Sequence, residues 1–287
     1  MSSRNAKKAS IFFARLPQFD DLRLVTLRIL TGTSQSISDF AEQIWRTREV
    51  IFLTKGRILA SPQAFNKHVF TAVARAEDLD SEELKQVFQS LNLEIIKRNA
   101  LSKSGFQECL KYTLEALLAP DWNKVQNYFI QGRDFLINSG SMNAVKLHVV
   151  ITETHLQLTV TPMGLSWRPN SMDDLGVPWT AQQKFLNPKG KKPPVIGKAM
   201  IKCPMVHVLP SFRTGHVLSI HREIPPGAPF DSLDALRKYW KNTYGYRLSD
   251  IPPTYVNVSF RTGGGVGTAM AYPAICIRTK PPVFQPR

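Results

Sequence analysis

The feature that most narrows the fold of this chain is a pair of β-patterned runs, residues 144–151 and 155–161, separated only by Thr152-Glu153-Thr154. Two alternating runs joined that tightly read as a hairpin. Residues 10–16, 22–30, 67–74 and 93–96 carry strand signals of the same kind, the second rich in β-branched residues and Leu.

Between them lie segments with helical spacing. Over residues 36–52, Phe40, Ile44, Trp45 and the Ile51/Phe52 pair recur at that period, behind Ser38 or Ser36 as N-cap. Ser81 followed by Glu82 and Glu83 opens a second helix to about residue 90, and residues 104–118 form a third, stopped by Pro120. Residues 125–130 read equally as strand or helix. Strands and helices mixed this way predict an α+β fold.

Residues 186–194, with Pro, Gly and Lys together, resist both helix and ladder pairing. They predict a linker over 187–198 between an N-terminal α/β body, residues 1–186, and a basic C-terminal module, residues 199–287. The module reads as strand 205–209, turn 211–215, strand 216–221 and a Pro-rich corner at 224–229. Asp231 or Ser232 then caps a helix through about residue 243, with Leu233, Leu236, Tyr239 and Trp240 as its apolar stripe. Strands 255–260 and 269–277 are expected to close a small barrel around a Gly-rich loop.

Charge is segregated. The 287 residues hold 37 Lys plus Arg against 22 Asp plus Glu, a net +15. From Lys184 onward 16 basic residues face only four acids, Glu223, Asp231, Asp234 and Asp250, so +12 of the excess lies there. Such asymmetry suggests a polyanionic partner: nucleic acid, an acidic protein surface or an anionic membrane. No apolar run approaches the ~20 residues of a membrane span, so no membrane partner is expected.

Three scattered cysteines, Cys109, Cys203 and Cys276, without a CxxC pair, predict neither a thiolate zinc site nor a disulfide framework. They point to an intracellular chain, nuclear or cytoplasmic. The basic, acid-poor stretch before Asp20 also fits a mitochondrial presequence, but a short basic tail leading into a first strand is the plainer reading.

The sequence carries none of the common catalytic motifs. There is no Walker A loop, GxSxG elbow or HExxH, and Gly263-Gly264-Gly265-Val266-Gly267 fails GxGxxG because Thr268 stands at the last glycine. Asp173-Asp174 would serve a nuclease metal only with further acids converging, for instance Glu223. His207 and His216 could meet across a hairpin, and His148 and His155 share another, but neither pair has a thiolate or acid in register. A non-enzymatic protein without metal or cofactor is therefore expected.

Several motifs carry a family resemblance: Leu118-Ala-Pro-x-Trp122-Asn-Lys, Ile130-Gln-Gly-Arg-x-Phe135-Leu, Val208-Leu-Pro-Ser211, Ile224-Pro-Pro-x-x-Pro-Phe230 and Tyr244-Gly-Tyr-x-Leu248. Together they resemble the animal domain of unknown function at the start of the chromosome-eighteen open-reading-frame protein of vertebrates. The resemblance spans nearly the whole chain and implies no activity. A second, over residues 205–277, is to the later part of a PAZ domain, the module that holds RNA 3′ ends in Argonaute and Dicer proteins. It rests on Tyr239-Trp-Lys-x-x-Tyr244-Gly-Tyr-x-Leu248 and Tyr272-Pro273-Ala-Ile-Cys276. The dense Arg/Tyr/Lys run that precedes the hairpin in PAZ domains is missing here.

Single-stranded nucleic acid needs cations for its phosphates and flat faces for its bases. The expectation is a binding module for single-stranded RNA or DNA acting through Arg213, Arg222, Arg237, Lys238, Lys241 and Tyr244. Most of the module's rings should nonetheless be core. The alternative is a scaffold whose basic face meets an acidic protein partner.

Overall fold

Serine sets where most of the helices begin. A serine oxygen that accepts the N–H three residues on satisfies one of the donors orphaned at a helix start, worth about 1 kcal/mol. The computed structural model describes residues 9–286 apart from 31–37, 191–192, 227, 229, 250–253 and 261–268, with backbone alone at 285–286.

The chain opens with β1 (Ser10–Arg15), β2 (Leu22–Ile29) and α1 (Asp39–Leu53), followed by β3 (Leu59–Pro62) and β4 (Val69–Arg75). Then come α2 (Glu82–Ser90), β5 (Leu93–Ala100) and α3 (Lys103–Leu118). Ser38, Ser81 and Ser102 cap α1, α2 and α3 through the N–H groups of Ala41, Leu84 and Gly105 at 3.3, 3.3 and 3.1 Å. An antiparallel sheet in the order β3-β4-β2-β5 buries Val25, Leu27 and Phe70 against Val50 and Ile51 of α1 and Phe88 of α2. Burying each such side chain contributes on the order of 2 kcal/mol.

Residues 125–130, open between strand and helix in the sequence, fold as a tight hairpin of β6 (Trp122–Val125) and β7 (Tyr128–Gln131), turned at Gln126 with φ 53°. The hairpin expected from Thr152-Glu153-Thr154 is present as β8 (Ser141–Ile151) and β9 (His155–Ser166). These strands form a sheet in the order β1-β9-β8-β7-β6. His148 and His155 sit opposite Thr159 and Arg15, apart from each other. Helix α4 (Trp179–Leu186) follows; the sequence reading had no element there.

Next come β10 (Val195–Gly197), β11 (Met205–Val208), β12 (Arg213–His221), α5 (Leu233–Tyr244), β13 (Tyr255–Ser259), β14 (Ala269–Pro273), β15 (Ile277–Arg278) and β16 (Val283–Pro286). Of the two capping candidates for α5, Ser232 is the cap, accepting from the Ala235 N–H at 3.1 Å. The third sheet runs β14-β13-β12-β11-β15, with β10 on the free stretch of β12, and β16 returns to pair with β9. The α+β class holds.

The expected small barrel does not form. This sheet is open, because the expected long last strand breaks at Pro273 into a 3-10 turn over Ala274–Cys276 before β15. Proline gives no N–H to extend the ladder. The Gly263–Gly267 loop lies outside the described residues.

One core crosses from the earlier to the later half of the chain. Val125, Ile130, Phe135, Met142 and Trp167 pack with Leu209, Leu236, Trp240, Tyr246 and Cys276. Arg278 is sealed inside it. The guanidinium donates to the carbonyls of Ile275, Ile277 and Leu136 at 2.7–2.9 Å and lies 5.2 Å from the Trp167 ring. Burial lowers its pKa to about 10, and among the described residues no carboxylate pairs with it to repay the desolvation.

Candidate nucleic-acid interface

Helix α5 is amphipathic in a way that aims its charge. Leu236, Trp240 and Thr243 are buried, which turns Arg237, Lys238 and Lys241 to the other side. That side faces α1. The walls are joined by a hydrogen bond from Trp45 Nε1 to Thr243 Oγ1 at 2.8 Å and by an edge-on contact of the Trp45 and Tyr239 rings, 6.2 Å between centroids.

Between them lies a groove of about 880 Å³. Trp45, Arg48, Glu49 and Phe52 line one wall, and Arg237, Lys238, Lys241 and Asn242 the other. Ala119, Pro120, Gly245, Tyr246 and Leu248 complete its lining, together with Asp234 and Arg247.

The groove needs a glycine at residue 245. Gly245 ends α5 in the left-handed region, φ 75°, and its N–H returns to the Lys241 carbonyl at 2.9 Å. A Cβ there would lie 2.5 Å from Ala119 Cβ and 3.1 Å from Arg48 Nη2. Tyr246 then turns inward, and its hydroxyl donates to the Lys124 carbonyl at 2.6 Å.

Five cations, Arg48, Arg237, Lys238, Lys241 and Arg247, share this groove with two acids, Glu49 and Asp234. Both acids are engaged, Glu49 with Arg46 at 2.9 Å and Asp234 with Arg237 at 3.6 Å. Arg48 is only 8% exposed and forms no ion pair with a carboxylate among the described residues; its guanidinium lies 5.5 Å from the Phe52 ring. Arg48 also opposes the upward push that burial gives the Tyr112 hydroxyl. Phe52 itself is 47% exposed, a flat apolar face beside fixed positive charge.

Of the residues expected from sequence, Arg237, Lys238 and Lys241 come together here. Tyr244 does not reach the groove surface. It packs against Trp240 and Tyr246 at 4.9 and 6.2 Å, and burial raises its hydroxyl pKa. Arg213 opens β12 and Arg222 follows its last residue, so the length of the strand separates them. Arg213 covers the Phe260 ring at 4.5 Å. Arg222 donates to the carbonyls of Phe185 and Leu186 at 3.3 and 3.0 Å, where it closes the C-terminus of α4. Trp45, Arg48, Phe52 and Arg247 were not anticipated. The first three lie on a helix nearly 200 residues earlier, and only a fold brings them here.

The remaining candidates disperse. His207 lies opposite Thr214 and stacks on Phe212 at 4.2 Å, while His216 faces Met205. Asp174 accepts from Arg168 and Ser171, and Asp173 from Gln182. Among the described residues, no three His, Cys, Asp or Glu side chains gather as a metal site, and no helix is long and apolar enough to cross a membrane.

The fold and groove together define an α+β protein with a basic, aromatic-edged cleft between two helices. By sequence, the chain belongs to the family described as Domain of unknown function (DUF4708), whose pattern matches residues 9–286. Solved structures of Marinitoga piezophila Argonaute are similar at low level. One is in complex with 5′ OH guide RNA and target DNA, and the other with 5′ OH guide RNA. Both share 11% identity at a TM-score of 0.35, covering 90% and 93% of this chain. The Argonaute protein from Methanocaldcoccus janaschii shares 8% identity at a TM-score of 0.35, covering 98% of this chain. The chain spans about a third of those chains, 30–34% of their length. Likeness at that level carries nothing about function, and the groove has to speak for itself.

Proposed function

We propose that this protein is a non-catalytic binding module for single-stranded nucleic acid, and that the strand lies in the groove between α1 and α5. The observation that carries the proposal is one groove lined by the half-exposed Phe52 ring and five cations, of which Arg237 pairs with Asp234, while the other acid, Glu49, pairs with Arg46.

Phosphates supply the anion for Lys238, Lys241 and Arg247. A base stacked on Phe52 gains about 1–3 kcal/mol without sequence readout. Cation and ring are adjacent because Arg48 lies against Phe52. A strand whose bases are unpaired offers both chemistries at once, whereas a duplex hides its base faces.

Mobility shift with single- and double-stranded probes of equal length at ~0.15 M salt tests this. Preference for the single strand is expected, with three to five phosphates neutralised and a log–log salt slope of roughly −2 to −3.5. No binding to either probe at that salt, or equal binding to both, would remove the proposal.

A further inference from the structure

β1 is the outermost strand of its sheet, and among the described residues no strand pairs its second edge. Natural edges are usually blunted by charge, proline, bulges or a covering element. β1 instead presents Ile11, Phe12 and Phe13 in succession, 52%, 56% and 67% exposed, in an unbroken six-residue register. Alternate residues of an antiparallel edge direct their N–H and C=O groups outward, so the backbone here is a free template.

The register shows what each face of an added strand would meet. On one face Phe12 lies beside Leu158 and Val149, and Ala14 beside Leu156 and Ile151. Val149 is buried and Ile151 packs against the Phe106 and Cys109 cluster, so this is the core face, with Phe12 uncovered at its rim. On the other face Ile11 lies beside Thr159 and His148, Phe13 beside Gln157 and Val150, and Arg15 beside His155. Its apolar centre is flanked by Arg15 and His155 at one end and, two strands in from the edge on β8, by His148 and Lys146 at the other. Glu153 at the hairpin tip, the acid nearest His155 in sequence, is paired with Lys103 at 2.5 Å, and Asp20 and Asp21 follow Arg15 in a 3-10 turn outside the strand.

We infer that the free edge of β1 takes an extended segment of an acidic protein partner as a further strand, with apolar residues at its centre and carboxylates at its ends. Strand addition buries the three exposed side chains, satisfies the free backbone groups, and sets a negative end beside Arg15, with Lys146 adding positive charge farther in at the other end. A second copy of this chain fits worse, because each carries a formal net charge of +15 and would bring Arg15 to the same edge. The site is separate from the α1–α5 groove and does not depend on what that groove binds.

The test is fluorescence anisotropy of the full chain with a short labelled peptide of alternating Val and Ile flanked by glutamates. Comparators are the same core flanked by lysines, and the glutamate peptide N-methylated at alternate backbone nitrogens. Saturable binding of the glutamate peptide is expected, at least about tenfold weaker for the lysine peptide and lost on N-methylation. Phe13→Asp should abolish it while leaving the melting temperature unchanged, since the side chain is two-thirds exposed. Absence of binding, equal binding of the two peptides, or survival of binding after N-methylation would overturn the inference. So would self-association of the chain that Phe13→Asp removes, or displacement of the peptide by a single-stranded oligonucleotide.

Discussion

The indole N–H of Trp45 in α1 meets the hydroxyl of Thr243 in α5 at 2.8 Å, a single bond between positions 198 residues apart. It holds the two walls of the basic groove at a fixed spacing. Groove geometry therefore depends on packing between the early and late parts of the chain, and its charge on the exposed side of one helix.

Trp45→Phe and Thr243→Val should each lower stability, and their double-mutant cycle should show a coupling of about 1 kcal/mol, the net worth of one hydrogen bond. Urea denaturation of the four proteins measures it. Additive effects would mean the walls are held by packing alone.

Charge substitutions should separate groove from scaffold. Lys238→Glu with Lys241→Glu is expected to weaken oligonucleotide binding by more than about tenfold with little change in melting temperature, because both side chains are exposed. Arg222→Ala should do the reverse. It strips the donors from the Phe185 and Leu186 carbonyls and costs on the order of 1 kcal/mol, with binding kept.

Gly245→Ala should destabilise the chain by about 2 kcal/mol or more. A side chain is strained at φ 75°, and its Cβ would collide with Ala119. Thermal denaturation reads this directly, and substitution of Gly190, which has open space around it, serves as the control.

Acid should weaken the later half of the chain in two steps. Burial lowers the pKa of His207 and His221 below the ordinary 6.5, so both favour the neutral form when folded. Their contribution is complete above pH 6.5 and is lost as pH falls towards their folded values. Asp174 accepts from Arg168 and from the Ser171 N–H and hydroxyl, which holds its carboxyl well below the ordinary 3.8. Its contribution is present above pH 3.8 and is lost only as pH falls through that lower folded value. Melting temperature against pH should therefore decline twice, and Asp174→Asn should shrink the second decline, to which Asp80 and Glu83, held low by Arg98 and Arg57, also contribute, while leaving the first unchanged.

Much of this fold was legible because serine caps and period-2 runs act locally. Ser38, Ser81 and Ser232 declared their helices, and the β8–β9 hairpin declared itself through a three-residue connection. Helix α4 was not, since Pro178 offers no side-chain cap and the helix has only eight residues. The groove was half legible. The stripe on α5 turns Arg237, Lys238 and Lys241 to the side of the helix that lines the groove, but nothing local ties Arg48 or Phe52 to them. Nor does sequence distinguish a ring at a surface from Tyr244 packed against the core, or a free arginine from Arg222 closing a helix end.

Hydrogen–deuterium exchange of the full chain with and without a saturating single-stranded oligonucleotide tests the central claim most directly. Protection should appear in residues 45–52 and 237–248, on both sides of the Trp45–Thr243 bond. Protection confined to the ends of β12, or spread evenly over the surface, would place the nucleic acid elsewhere and contradict the account.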